Sequence, residues 1–149
     1  MALALPKRAV AVMAVTVSII LLILFFSQDS IFGFLTPAAP PDFGISASPS
    51  SLSLLGLAGS SVSTTVTVRS IRGFSSEVSL NVTPSTGFFG ITFTFNPDRV
   101  TPPADGQAES TLTITVDAGV PSKVYFIDVT GRSDEPSRRH TVRIQVIVE

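Results

Sequence analysis

The chain has no cysteine, no tryptophan and a single histidine, His140. The first absence excludes disulfides, thiol catalysis and zinc-thiolate sites. With no second His and no Cys, His140 belongs to no recognisable metal-ligand set. Charge is also scarce: Asp, Glu, Lys and Arg make up 14% of the 149 residues, against an average of about 25%. Ten basic and eleven acidic residues leave a net charge of −1, so no electrostatic footprint for nucleic acid exists. The acids Asp98, Asp105, Asp117, Asp128, Asp134 and Glu135 lack the Asp-x-Asp-x-Asp-Gly spacing of a calcium loop. Asp128, His140 and the many serines lack the Gly-x-Ser-x-Gly elbow that marks a hydrolase nucleophile. No catalytic residue, metal or cofactor is therefore assigned, and the chain is expected not to be an enzyme.

What is present begins with a long apolar run. Lys7 and Arg8 precede residues 9–26, which carry no charge and only two polar side chains, Thr16 and Ser18. At about 1.5 Å per residue this run spans about 27 Å as a helix, close to a hydrocarbon core of about 30 Å. Lys7 and Arg8 are the orientation signal: they place residues 1–8 in the cytoplasm and everything after Phe26 outside. Ile31 to Leu35 suits the membrane surface, and Thr36-Pro37-Ala38-Ala39-Pro40-Pro41 favours an extended polyproline course. Residues 27–41 thus read as a membrane-proximal stalk. The expected location is the cell membrane, single-pass, with the C-terminal domain outside the cell.

Two other readings of the N-terminus compete with an uncleaved signal anchor. A secretory peptide would need a shorter apolar region and a nearer cut than Thr36-Pro37-Ala38. Lys7-Arg8-Ala9 followed at once by the apolar run resembles the processing site of archaeal pilin-type precursors. That resemblance implies a pilin-like or archaellum-type filament or accessory subunit, processed after Ala9. Position five after such a cut is Ala14, not the glutamate of bacterial pilins, and Gly33 and Pro37 end the helix early.

From Asp42 to Glu149 the period is two, not 3.6. Val62, Thr64, Val66 and Val68 alternate with Ser63, Thr65 and Thr67, the signature of a half-buried strand. The same alternation runs through Val78 to Val82, Ile91 to Phe95, Leu112 to Val116, Tyr125 to Val129 and Val142 to Val148, with weaker strands at Phe43 to Ala47 and Leu52 to Leu55. Turn chemistry separates them at 58–60, 72–73, 84–87, 96–98, 102–106 and 131–136. Seven or eight short strands imply an all-β two-sheet sandwich. Its expected core is Phe74, Phe93, Phe95, Leu112, Ile114, Tyr125, Ile127 and Ile144. A freed segment at Phe43 to Ala47 would be able to complete a neighbour's sheet.

Several stretches carry a family likeness. Gly73-Phe74-Ser75-Ser76-Glu77-Val78-Ser79-Leu80, Phe95-Asn96-Pro97, Val100-Thr101-Pro102-Pro103, Ser110 to Ile114 and the strand from Tyr125 to Gly131 resemble, in order, the immunoglobulin-like modules of prokaryotic surface proteins. The resemblance implies an extracellular immunoglobulin-like domain over 42–149 that serves as a structural, adhesive or partner-binding module. It carries over no catalytic residue. The cysteine pair and tryptophan of antibody domains are missing, and Lys123 stands where many members have glycine. Tyr125, two residues before Ile127, fits a tyrosine corner.

Candidate contact residues come from breaks in the pattern. Phe126 and Ile147 stand opposite the core-facing Tyr125, Ile127, Val146 and Val148, on a face that Asp128, Thr141 and Gln145 keep wet. With the last strands paired around Ser133 to Pro136, Phe126 lies near Arg143, where ring and guanidinium can stack. Phe126, Arg143 and Ile147 are the candidate partner contact, and a locally covered apolar pair is the alternative. Phe88-Phe89-Gly90 either caps the core or offers a loop-tip contact. Arg132, Arg138, Arg139, His140 and Arg143 read as a solvated basic loop or a phosphate or glycan site. Asn81-Val82-Thr83 is an N-glycosylation sequon with Asn81 facing outward. The expected partners are the membrane through residues 9–26 and another surface protein or a glycan, with a homo-oligomer open and nucleic acid excluded.

Overall fold

A computed structural model of the chain describes residues 38–84 and 88–149. The expected orientation signal at Lys7 and Arg8, the membrane segment 9–26, processing after Ala9 and most of the 27–41 stalk lie outside the described residues. Among those described, no helix is long and apolar enough to cross a membrane. Pro40–Glu149 forms one compact unit.

That unit is all β. Its strands are β1 (Asp42–Ser48), β2 (Ser51–Leu54), β3 (Ser60–Ile71), β4 (Val78–Pro84), β5 (Ile91–Asn96), β6 (Arg99–Val100), β7 (Gln107–Val116), β8 (Val124–Asp134) and β9 (Ser137–Val148). They form a four-stranded sheet in the order β1-β3-β7-β5 and a five-stranded sheet in the order β2-β9-β8-β4-β6. Every pairing is antiparallel except β2 with β9. All eight expected strands are present, and β6 is a two-residue addition.

Alternation decides the faces. Val66 and Val68 of β3, Leu112, Ile114 and Val116 of β7, Ile127 and Val129 of β8 and Ile144 and Val146 of β9 are buried together with Phe43 and Phe74. Several inward positions are hydroxyls, and three of them satisfy loop backbone at the sheet margin. Thr64 Oγ1 donates to Pro49 O at 2.7 Å, Ser110 Oγ donates to Pro97 O, and Ser70 Oγ accepts from Asp105 N at 2.9 Å. Pairing of this kind offsets the cost of burying them, whereas the buried Oγ of Ser133 on β8 has no hydrogen-bond partner among the described residues.

Four expectations change. Phe93 and Phe95 are only half-buried, because β5 ends its sheet and has a strand on one side only. The expected turn at 131–136 narrows to Glu135-Pro136, with Asp134 opposite Ser137. Gly131 is a strand residue: a Cβ there would sit 3.0 Å from Phe43 Cε2 and 3.1 Å from Val78 Cγ1, so glycine admits the Phe43 ring rather than turning the chain. Finally, Phe43 to Ala47 is not free for a neighbour, since it pairs with the chain's own β3 in register from Asp42↔Ile71 to Ser48↔Thr65.

Candidate functional site

The antiparallel register lays out the outer face of the five-stranded sheet in rows. Val124 lies opposite Ile147, with Ser53 beyond it on β2; Phe126 lies opposite Gln145, with Ser51 beyond. In the next row Asp128 lies between Arg143 and Thr83, and then Thr130 between Thr141 and Asn81. Phe126 is thus one row from Arg143, on the same face. The guanidinium of Arg143 grips Asp128 with both arms, Nε to Oδ1 at 2.8 Å and Nη2 to Oδ2 at 3.0 Å. Its hydrogen bond holds the Asp128 carboxyl below the usual carboxylate range despite some burial, and Asp128 in turn raises Arg143. Phe126 is 50% exposed and Ile147 half-buried.

Three loops meet at this end of the sandwich. Gly59 N donates to Val116 O and Asp117 N to Gly90 O, while Gly56 N donates to Glu149 O. Buried Val120 plugs the centre: a Cβ on Gly90 would stand 3.0 Å from Val120 Cγ2, and one on Gly56 3.5 Å from its carbonyl. Tyr125 makes the expected corner, its hydroxyl donating to Pro121 O at 3.0 Å. Lys123 lays its ammonium 4.8 Å from the Tyr125 ring centre. Phe88 packs on Phe93 and Tyr125, with centroids 5.7 Å apart in both cases. It caps the core and turns Phe89 outward, 91% exposed. Leu55 and Leu57 are also exposed here. Their prominence depends on tertiary placement of the loops, and no period in the sequence marks it.

The basic residues do not form one cluster. Residues 131–134 and 137–141 are strand, so alternation sends Arg138 and His140 toward β1, and Arg132, Arg139 and Arg143 to the outer face. His140 Nε2 lies 2.8 Å from Asp42 Oδ1, which also accepts from Phe43 N at 2.8 Å. Arg138 Nε lies 3.6 Å from the same oxygen and donates to Pro41 O, and Arg72 Nε donates to Pro40 O. Burial works against the charge on Asp42. The His140 and Phe43 hydrogen bonds and the nearby cations outweigh it and lower the carboxyl pKa. These groups tie the incoming chain to both sheets.

On the outer face, Arg132 and Arg139 stand directly opposite each other. Arg99 pairs with Glu77 at 2.7 Å and Arg132 with Asp134 at 3.4 Å, beside an open polar cleft of about 450 Å³. Asn81 is exposed on this face with Thr83, in a shallow depression that Ser79, Thr130, Arg132 and Arg139 also line. A glycan on Asn81 would cover that depression. Among the described residues no group of three or more His, Asp or Glu side chains is placed to hold a metal ion.

The described fold resembles known structures at low identity. A FixG-related protein from Vibrio parahaemolyticus matches with a TM-score of 0.54 at 9% identity, over 75% of this chain and 99% of that one. A family 123 glycoside hydrolase from Clostridium perfringens matches with a TM-score of 0.53 at 9% identity, over 72% of this chain but 27% of the enzyme's. The E. coli chaperone DraB is similar at a TM-score of 0.45 and 14% identity, over 72% of this chain and 55% of that one, a likeness too slight to argue from. No family model matches the sequence, and no curated protein matches it. At these identities the first two likenesses concern fold alone: an all-β domain of two sheets.

Proposed function

We propose that this chain is a membrane-anchored, non-catalytic surface module whose immunoglobulin-like sandwich binds a protein partner outside the cell. The strand orders support the immunoglobulin-like part. β1-β3-β7-β5 has the sequence of neighbours A-B-E-D, and β4-β8-β9 that of C-F-G, with β1 and β2 dividing the role of the first strand. The apolar run at 9–26 behind Lys7 and Arg8 supports the anchor. The basic and acidic side chains nearest to a site act as ties between strands, which supports a module without chemistry.

One observation carries the binding role. Of the six large hydrophobic residues exposed among those described, Leu55, Leu57, Phe89, Val124 and Phe126 lie at the end of the sandwich away from Asp42, and only Ile71 lies at the other. Exposed apolar side chains gathered in one region mark an interaction site, whereas scattered ones do not. The end nearest Asp42 carries the charged ties of Asp42 to His140 and Arg138.

The test is site-specific photocrosslinking of the full chain in intact cells, with a photoreactive side chain at Leu57 or Phe126 and a third at Ser63 on the opposite sheet. A discrete adduct from the first two positions, absent from Ser63 and sensitive to protease added outside the cell, is the expected result. Equal adducts from all three, or none, would refute the binding end.

A further inference from the structure

We infer that β5 is a pairing edge for a second copy of this chain, giving a two-fold dimer through one continuous eight-stranded sheet. Two sheets have four edges: β1, β5, β2 and β6. An unprotected edge offers a row of backbone N–H and C=O groups to any extended chain. Three of the four are blunted. β6 has two residues and β2 has four, and β1 is pinned at Asp42 by His140 and Arg138 of β9.

β5 has none of these protections. Ile91-Thr92-Phe93-Thr94-Phe95-Asn96 contains no charge, proline or glycine, and residues 78–97 as a whole carry no charged side chain. Its inward rings, Phe93 and Phe95, are only half-buried, and Thr92 and Thr94 are exposed on the outer face. An added strand would cover the rings from the side that β7 leaves open.

The partner follows from the pattern of β5 itself. Against β7, Thr92 and Thr94 face Thr115 and Thr113, while Phe93 and Phe95 face Ile114 and Leu112. A second β5, antiparallel and centred on Phe93 or Thr94, repeats that chemistry: threonine or asparagine meets threonine on the outer face, and aromatic or isoleucine meets aromatic on the inner. Both registers keep core-facing residues on one side, which a shift by one residue would not. Cross-strand pairs of these types are favourable, and no like charges oppose each other. Pairing also uses up the β5 edge of each copy and leaves only the two β1 edges outermost, so assembly stops at two.

The absence of cysteine makes the test clean. Thr94→Cys and Ser63→Cys variants of the full chain, in detergent micelles or native membranes, are treated with a short bismaleimide. Thr94 lies at the proposed junction. Ser63, on β3, would be about 24 Å from its counterpart across five strand spacings of about 4.8 Å. The expected result is a single dimer band from Thr94→Cys and none from Ser63→Cys. Adding Thr94→Lys to the unlabelled chain should weaken self-association at least tenfold by sedimentation, with an unchanged circular dichroism spectrum because Thr94 is exposed. The proposal is overturned by equal crosslinking from both positions, by a ladder of higher species, or by dimers that survive Thr94→Lys and therefore come from another part of the chain.

Discussion

At the Asp42 end of the sandwich, polar groups hold the strands: Asp42 with His140 and Arg138, Arg72 and Arg138 on the Pro40 and Pro41 carbonyls, and Asp105 on Gly73 N. At the other end backbone hydrogen bonds and the Tyr125 hydroxyl join the loops without an ion pair among the described residues, and apolar packing completes the hold, with Val120 plugged between loops, Phe88 on Tyr125 and Lys123 over the same ring. Packing buries one side of each loop and leaves the other side, with Leu55, Leu57 and Phe89, facing outward. On the proposed function, the end with Leu55, Leu57 and Phe89 is the one that meets a partner.

The strongest way to break this comparison is Phe43→Ala. Phe43 is fully buried, with its ring 5.2 Å from Phe74 and edge-on to His140 at 4.8 Å. A loss of about 3–5 kcal/mol is expected, read from urea unfolding. Tyr125 is the only tyrosine and there is no tryptophan, so intrinsic fluorescence reports from the far end. If its midpoint falls together with the backbone circular dichroism, the two ends form one cooperative unit; if it does not, they unfold apart.

Next in size is Tyr125→Phe, which strands the Pro121 carbonyl and should cost about 1–2 kcal/mol. The same denaturation measurement checks it, and Lys123→Ala should cost less because the ammonium is replaced by water.

Asp42→Asn sharpens the contrast through pH. The folded-state pKa of Asp42 is depressed, so the stability it contributes is fully present above the unfolded-state value of about 3.9 and is lost as pH falls through the folded value below it. The wild type should therefore exceed Asp42→Asn in urea midpoint at pH 7, and the two should converge under acid. A gap that persists unchanged at acid pH would show that the carboxylate charge is not what ties β1 to β9.

The smallest effect on stability is expected at the end that carries Leu57 and Phe89. Leu57→Ser and Phe89→Ser should leave the urea midpoint where it was at every pH while removing the crosslinked adduct. Arg143→Ala should also leave it nearly unchanged, because exposed ion pairs contribute little.

Much of this architecture was legible beforehand. Period-two alternation in Val62 to Val68 or Val142 to Val148 assigns faces from local geometry alone, since successive side chains must point to opposite sides of a strand. The outward placement of Phe126, Ile147 and Asn81 followed from the same rule, whereas the corner at Tyr125 followed from the resemblance to immunoglobulin-like modules. The run 131–141 misled because Gly131, Asp134 and Pro136 carry turn chemistry, while the reason for Gly131 is the Phe43 ring 88 positions earlier in the chain. That misreading also made one basic cluster out of residues that alternation separates.

Propensity and alternation act over a few residues, and they suffice to lay strands along Asp42 to Glu149, to mark the apolar side of each and to say roughly where each ends. Long-range pairing alone makes β1 join β3, leaves β5 last in its sheet with Phe93 and Phe95 half-covered, and brings Leu55, Leu57 and Phe89 to one end. Those outcomes depend on which strands become neighbours, and pairing joins residues tens of positions apart, a distance over which no local pattern carries information.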